Sequence, residues 1–142
     1  MAGPKTERNR IVAHFKGGKL LKGYTHDFTP AGETFHLTDE GGNVHQVKCS
    51  DLKALFFVKT FEGRKEYVEK KRFDQVDPGS IRGLKIKVKF IDGEVIRGTS
   101  LGYSKDRKGF YIVPIDPDCN NERIYVIADS VLSVEVGSDA EK

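Results

Sequence analysis

Alternation of apolar and polar positions dominates this chain. In RIVAHF, Arg10 to Phe15, the residues Ile11, Ala13 and Phe15 fall on one side, and Val12 and His14 on the other. KIKVKF is cleaner: Ile86, Val88 and Phe90 share one face and Lys85, Lys87 and Lys89 the other. A period of two with one charged face predicts half-buried antiparallel strands. Each strand is followed by a glycine turn, KGGK or IDGE, flanked by apolar runs, which is a strong hairpin signal. The second strands read KLLKGYT and EVIRGTS. The glycine inside each, Gly23 or Gly98, offers no side chain to pack and predicts a sharp bend or bulge. ETFHLT and KGFYIVPI follow as third strands, VHQVKC and ERIYVI as fourth, ALFFV and LSVEV as fifth, with SDL and ADSV as short turns before the fifth.

The two sets of strands are written in nearly the same residues. Phe15 aligns with Phe90, Gly18 with Gly93, Gly23 with Gly98, Phe35 with Phe110, Val47 with Val126, and Leu55 with Val134. The second copy carries four extra residues, within VPIDPDCNNE. Such self-similarity predicts an internal duplication. Five short strands per copy with a bent second strand predict an all-β protein of two tandem small SH3-like barrels. The expected boundaries are a disordered tail at 1–8, a first barrel at 9–60, a charged linker at 61–83, a second barrel at 84–136 and a disordered tail at 137–142. Phe61, Tyr67 and Phe73 are expected to tie the linker down. In ALFFV, Leu55 and Phe57 suit the first core, which leaves Phe56 and Val58 on the opposite face, to pack on the other half or to mark a partner surface. The halves are therefore expected to pack face to face through Phe56, Val58 and the linker aromatics.

A strand, a turn glycine and a second glycine five residues later inside an apolar strand resemble the Sm-like fold, in FKGGKLLKG and better in FIDGEVIRG. The whole layout also resembles a family of uncharacterised bacterial proteins, through Arg10 to Phe15, Leu21 to Gly23, Thr25, Asp27, Phe28 and Asp51 to Lys59. That second resemblance carries no activity with it. The Sm-like resemblance implies RNA binding, through an Asp followed shortly by an Asn after the second strand. Asp27 is present, but Thr29-Pro30-Ala31 follows it, and the second copy has Gly102 in its place. The late Arg-Gly pair of Sm-like proteins is replaced by CSD and IAD, and Arg82-Gly83 lies in the linker instead.

Composition narrows the field. With 37% hydrophobic and 32% charged residues and no long apolar run, the chain reads as a soluble globular protein. The N-terminus is polar and basic, and Cys49 and Cys119 are too few for a disulfide framework, so a cytoplasmic location is expected. Residues 1–83 carry a net charge of +4 and residues 84–142 one of −1, which gives the chain its +3. There RKEYVEKKR mixes cations with an aromatic, and Lys70, Lys71 and Arg72 are candidate anion contacts, diluted by Glu62, Glu66 and Glu69.

DFTPAG, Asp27 to Gly32, resembles part of the cyclic di-GMP motif of PilZ domains. Thr29 stands for the usual Ser, and Arg8 and Arg10 lack the usual arginine spacing. A turn stabilised by Asp27 and Pro30 is the plainer reading. The inserted loop offers Asp116, Asp118, Asn120, Asn121 and Arg123 as binding residues, since scaffolded loops often carry function. His14 and His36 are read as surface residues, with no cysteine or carboxylate at metal-ligand spacing. No phosphate loop, nucleophile elbow or zinc-protease helix is present. The expectation is a non-catalytic module without cofactor or metal. It would bind a protein or peptide partner through a strand edge or the inserted loop. RNA binding by the basic half and cyclic di-GMP sensing stand as alternatives.

Overall fold

The computed structural model describes residues 9–62, 66–77, 79, 81–100, 103–104 and 106–141. Among them the regular elements are strands and short 3-10 turns. The strands are β1 (Asn9–Phe15), β2 (Leu20–Thr25), β3 (Thr34–Asp39), β4 (Val44–Lys48) and β5 (Leu52–Val58), then β6 (Leu84–Phe90), β7 (Val95–Ser100), β8 (Gly109–Pro114), β9 (Asn121–Ile127) and β10 (Val131–Val136). All ten join one antiparallel sheet in the order β10-β6-β7-β8-β9-β5-β1-β2-β3-β4. Each half thus has its fifth strand beside its first, and the sheet stays open at β10 and β4. No helix among the described residues is long and apolar enough to cross a membrane.

The halves share more than strand order. Ile11 faces Gly23 across β1–β2, and Ile86 faces Gly98 across β6–β7. The amides of Phe15 and Gly18 donate to the carbonyls of Lys19 and Phe15, and those of Phe90 and Gly93 to the carbonyls of Glu94 and Phe90. One left-handed residue closes each turn, Gly18 at φ 96° and Gly93 at φ 95°. A three-residue loop ending in a left-handed glycine therefore replaces the two-residue turn that the Gly-Gly and Asp-Gly pairs suggest.

Gly23 and Gly98 are not bulges either. The register slips elsewhere, between His14 and Phe15, between Phe57 and Val58, and between Val131 and Ser133. A Cβ on Gly23 would run into the carbonyl of Thr38 and the side chain of Leu37. On Gly98 it would run into the carbonyl of Val113 and the side chain of Ile112. Each glycine lets the third strand cross closely over the second.

The halves do not pack face to face as separate barrels. They join edge to edge, β5 of the first half pairing with β9 of the second: Ala54 faces Val126, Leu55 faces Tyr125, and Phe56 faces Ile124. Alternation then sends each strand's side chains into two cores. Leu55 and Phe57 enter a core with Ile11, Phe35, Leu37 and Val47, joined there by Tyr125 and Ile127 of β9. Ala54, Phe56 and Val58 enter the other core with Ile86, Val88, Phe90, Phe110 and Ile112. Phe56 and Val58 do cross to the second half, but within a shared sheet.

Residues 137–141 are not a loose tail. After Gly137, at φ 67°, the chain turns back as a 3-10 segment that buries Ala140 against Phe73 and Ile115. Lys85 pairs with Glu141 at 3.1 Å. The expected tail at 1–8 and position 142 lie outside the described residues.

The glycine contacts set a clear order of costs. Gly98→Ala is expected to destabilise the protein by about 3 kcal/mol, because backbone must move to admit the methyl group. Gly93→Ala, with open space around it, should cost about 1–2 kcal/mol for its left-handed backbone alone. Urea denaturation of the two variants measures both.

Candidate functional site

Most of the sequence-proposed binding residues serve the structure. Asp116 is 1% exposed. Its Oδ2 accepts from the Tyr67 hydroxyl at 2.6 Å and the Lys70 amide at 2.8 Å, and its Oδ1 from the Asp118 amide at 3.0 Å. Burial pushes this carboxyl's pKa up, but the three hydrogen bonds outweigh it and hold the pKa below the ordinary value. Asn120 clasps Thr60: its Oδ1 accepts from the Thr60 amide and hydroxyl, and its Nδ2 donates to the Thr60 carbonyl. Asn121 is the first residue of β9 and faces Val58. Arg123 stacks its guanidinium 4.0 Å from the Phe57 ring centre. The inserted loop thus docks the linker and the end of β5.

Among the basic candidates the linker backbone is held, the Lys71 amide donating to Gln75 Oε1 at 3.0 Å, and one guanidinium is paired at the surface. Arg72 makes two hydrogen bonds to Asp74, at 3.0 and 3.1 Å, and Lys70 is fixed through its amide. Arg64 and Lys65 lie outside the described residues. Asp27 accepts from the amide and Nδ1 of His36 at 2.9 and 2.7 Å and from the Thr25 hydroxyl at 3.1 Å. Burial raises its pKa, and these bonds pull it below the usual value. Arg10 donates to the Lys59 carbonyl. Asp27 and Arg10 of the PilZ-like set are therefore bound up in closing the β2–β3 connection and anchoring β1, and Arg8 lies outside the described residues.

The junction of the halves gathers residues to which the sequence assigned no role there, and it half-buries His14, expected at the surface, against Phe56 of the neighbouring strand. Lys53, on β5, forms ion pairs with Asp92, at 2.7 Å, and Glu94 in the turn of the second half. Burial lowers the lysine's pKa, but both carboxylates outweigh it and raise it. His14 stacks on Phe56 at 4.0 Å, and its burial lowers its pKa. Nearby, a cavity of about 370 Å³ draws Glu33 and Cys49 from one half and Lys108, Tyr125, Ile127 and Asp129 from the other. Burial raises the pKa of Cys49, against the pull of Lys108, and burial also raises that of Tyr125. Thiol and phenol are both neutral hydrogen-bonding groups near pH 7. No group of three potential metal ligands occurs among the described residues.

The two open edges are the other feature. On β4, the Asp39 amide donates to Asn43 and the Cys49 amide to Glu33, while the His36 amide turns away from β4 to Asp27. With the register His36–Gln46, this alternation points the backbone groups of Val44, Gln46 and Lys48 outward. On β6, the Phe90 amide bonds toward β7, so Lys87 and Lys89 bond to Glu135 and Ser133 of β10. The backbone groups of Val134 and Val136 then face outward, while Leu132 lies in the register slip between Val131 and Ser133. Val44 is 65% exposed, Leu132 62% and Val136 40%.

A family model matches residues 7–138. The chain belongs to the family of unknown function DUF6982. No curated protein and no solved structure matches it. The expectation of an uncharacterised family agrees with this membership.

The Asp116 anchor makes a measurable claim. Asp116→Ala should leave the Tyr67 hydroxyl and two amides without their acceptor. Trypsin cleavage at Lys70, Lys71 and Arg72 should become at least about tenfold faster as the linker detaches. Because the folded carboxyl titrates below its unfolded value, its contribution is full above about pH 4 and is lost as pH falls through the lower folded value. Hydrogen exchange of the Lys70 amide should follow that pH course in the wild type and lose protection at every pH in the variant.

Proposed function

We propose that this protein is a non-catalytic, cytoplasmic bacterial interaction module that binds an extended protein or peptide segment by strand addition at an open sheet edge. We read each half as an Sm-like, SH3-like small barrel. Each core draws side chains from one face of its half, which a single sheet achieves by curling. One observation carries the reading. The two edge strands, β4 and β10, present outward backbone groups together with exposed apolar side chains, Val44, Leu132 and Val136. Main-chain pairing supplies affinity in this mode, and alternate side chains supply selectivity. The basic linker supports nucleic-acid binding less well, since Arg72 is already paired to Asp74.

Gln46→Pro and Val134→Pro each remove one outward amide while leaving the inner ladder intact. Peptides selected from a random phage-displayed library against the full chain should bind the wild type with little dependence on salt. They should weaken at least tenfold in one or both proline variants. Joint replacement of Lys70, Lys71 and Arg72 by Ala should leave them unchanged. The reading fails if no peptide is edge-dependent, and above all if labelled single-stranded RNA binds at physiological salt and the triple variant abolishes that binding.

A further inference from the structure

The junction inside the chain is a strand addition already made. The fifth strand of one half receives the fourth strand of the other. By the alignment of the halves, β10 corresponds to β5 and β4 corresponds to β9. The chain therefore carries both sides of this junction a second time, unjoined, one at each edge of the sheet. We propose that the occupant of these edges is a second copy of the same chain, with β10 of one chain pairing head to tail with β4 of the next. This rests on the strand-edge reading and names its partner.

The backbone fits in register. In the internal junction Leu55 faces Tyr125 and Phe57 faces Arg123. The corresponding outward residues are Val134 with Gln46 and Val136 with Val44, and the hydrogen-bond alternation above points all four away from their own halves. Glu135 would then lie opposite His45, each already paired within its own chain, to Lys87 at 3.0 Å and to Asp39 at 2.8 Å.

The side chains point the same way. Leu52 and Leu55 are fully buried and Phe57 is 2% exposed, because β9 and its neighbours cover them. Their counterparts on β10, Val131, Val134 and Val136, are apolar but only partly covered. Val44 is the apolar residue that the register places against Val136, and both stand open to solvent.

The outer contact is the weaker of the two. Gln46 stands where the inner junction has Tyr125, Lys48 where it has Ile127, Ser133 where it has Ala54, and Glu135 where it has Phe56. Polar residues on edges hold back indiscriminate pairing, so the association is reversible and depends on concentration. The contact is heterologous, using two different surfaces, and so it propagates beyond a dimer or closes as a ring.

Sedimentation velocity and light scattering on the full chain test this, with circular dichroism to establish that each variant is folded. The wild type should form species above twice the 15.9 kDa chain mass as concentration rises. Gln46→Pro and Val134→Pro should each be monomeric alone, because each lacks one side of the contact. Mixed in equal amounts they should form a one-to-one dimer and stop there, since one intact β10 edge meets one intact β4 edge. A wild type that stays monomeric into the high micromolar range overturns the proposal. So does a dimer that persists in either variant alone, which would mean pairing of like edges. If the wild type is monomeric while its selected peptides still fail on Gln46→Pro or Val134→Pro, self-pairing falls and the strand-edge reading stands. Loss of edge-dependent peptides together with an intact complementation dimer gives the converse result.

Discussion

The pairing of β5 with β9 is the constraint on which the rest of the molecule depends. It is a backbone ladder between strands far apart in sequence, and residues 54–58 and 124–127 of these strands are buried on both faces. Leu55 and Phe57 complete one core while Ala54, Phe56 and Val58 complete the other. Tyr125 and Ile127 cross in the opposite direction. Slipping the register by one residue would exchange every one of these side chains between cores. The Lys53 pairs with Asp92 and Glu94 and the Ser130 hydroxyl on the Lys53 carbonyl pin that register from the side. Neither half completes its core alone.

A second layer of polar contacts holds the connection between the halves. Asp116 gathers Tyr67 and the Lys70 amide, Asn120 clasps Thr60, and Lys59 reaches the Pro117 carbonyl at 2.7 Å. Phe73, Ile115 and Ala140 supply a small apolar cluster on the same side. The extra residues of the second half thus have a structural use: they give the linker something to hold. A buried carboxylate accepting three hydrogen bonds suits this task, because it satisfies donors that an irregular segment cannot pair within itself.

Much of this was legible in the sequence, for reasons visible at particular residues. Strict alternation in KIKVKF and RIVAHF marked strands, and Gly18 and Gly93 marked turns, because those signals are local. The excess of apolar residues in ALFFV showed that Phe56 and Val58 needed cover. It could not show whether that cover came from a facing layer or from a neighbouring strand, since both bury the same side chains. The roles of Gly23 and Gly98 were misread because a close crossing by the next strand leaves the same trace in sequence as a bend. Asp116 looked like a loop ligand because its donors, Tyr67 and the Lys70 amide, lie far upstream. The cavity residues Cys49, Lys108 and Tyr125 meet only through the β5–β9 pairing, so no spacing along the chain announces them.

The anchored linker has a kinetic meaning as well. A tether fixed at Thr60, Tyr67 and Lys70 keeps β9 beside β5 at a high effective concentration, so each chain closes its own junction before meeting another. Nothing in the β5–β9 ladder itself requires both strands to come from one molecule. Loosening the clasp at Asp116 or Asn120 would lower that local concentration without touching the ladder. The same contact would then form equally well between molecules, as an exchange of halves. The inserted loop thus favours closing the core within one chain.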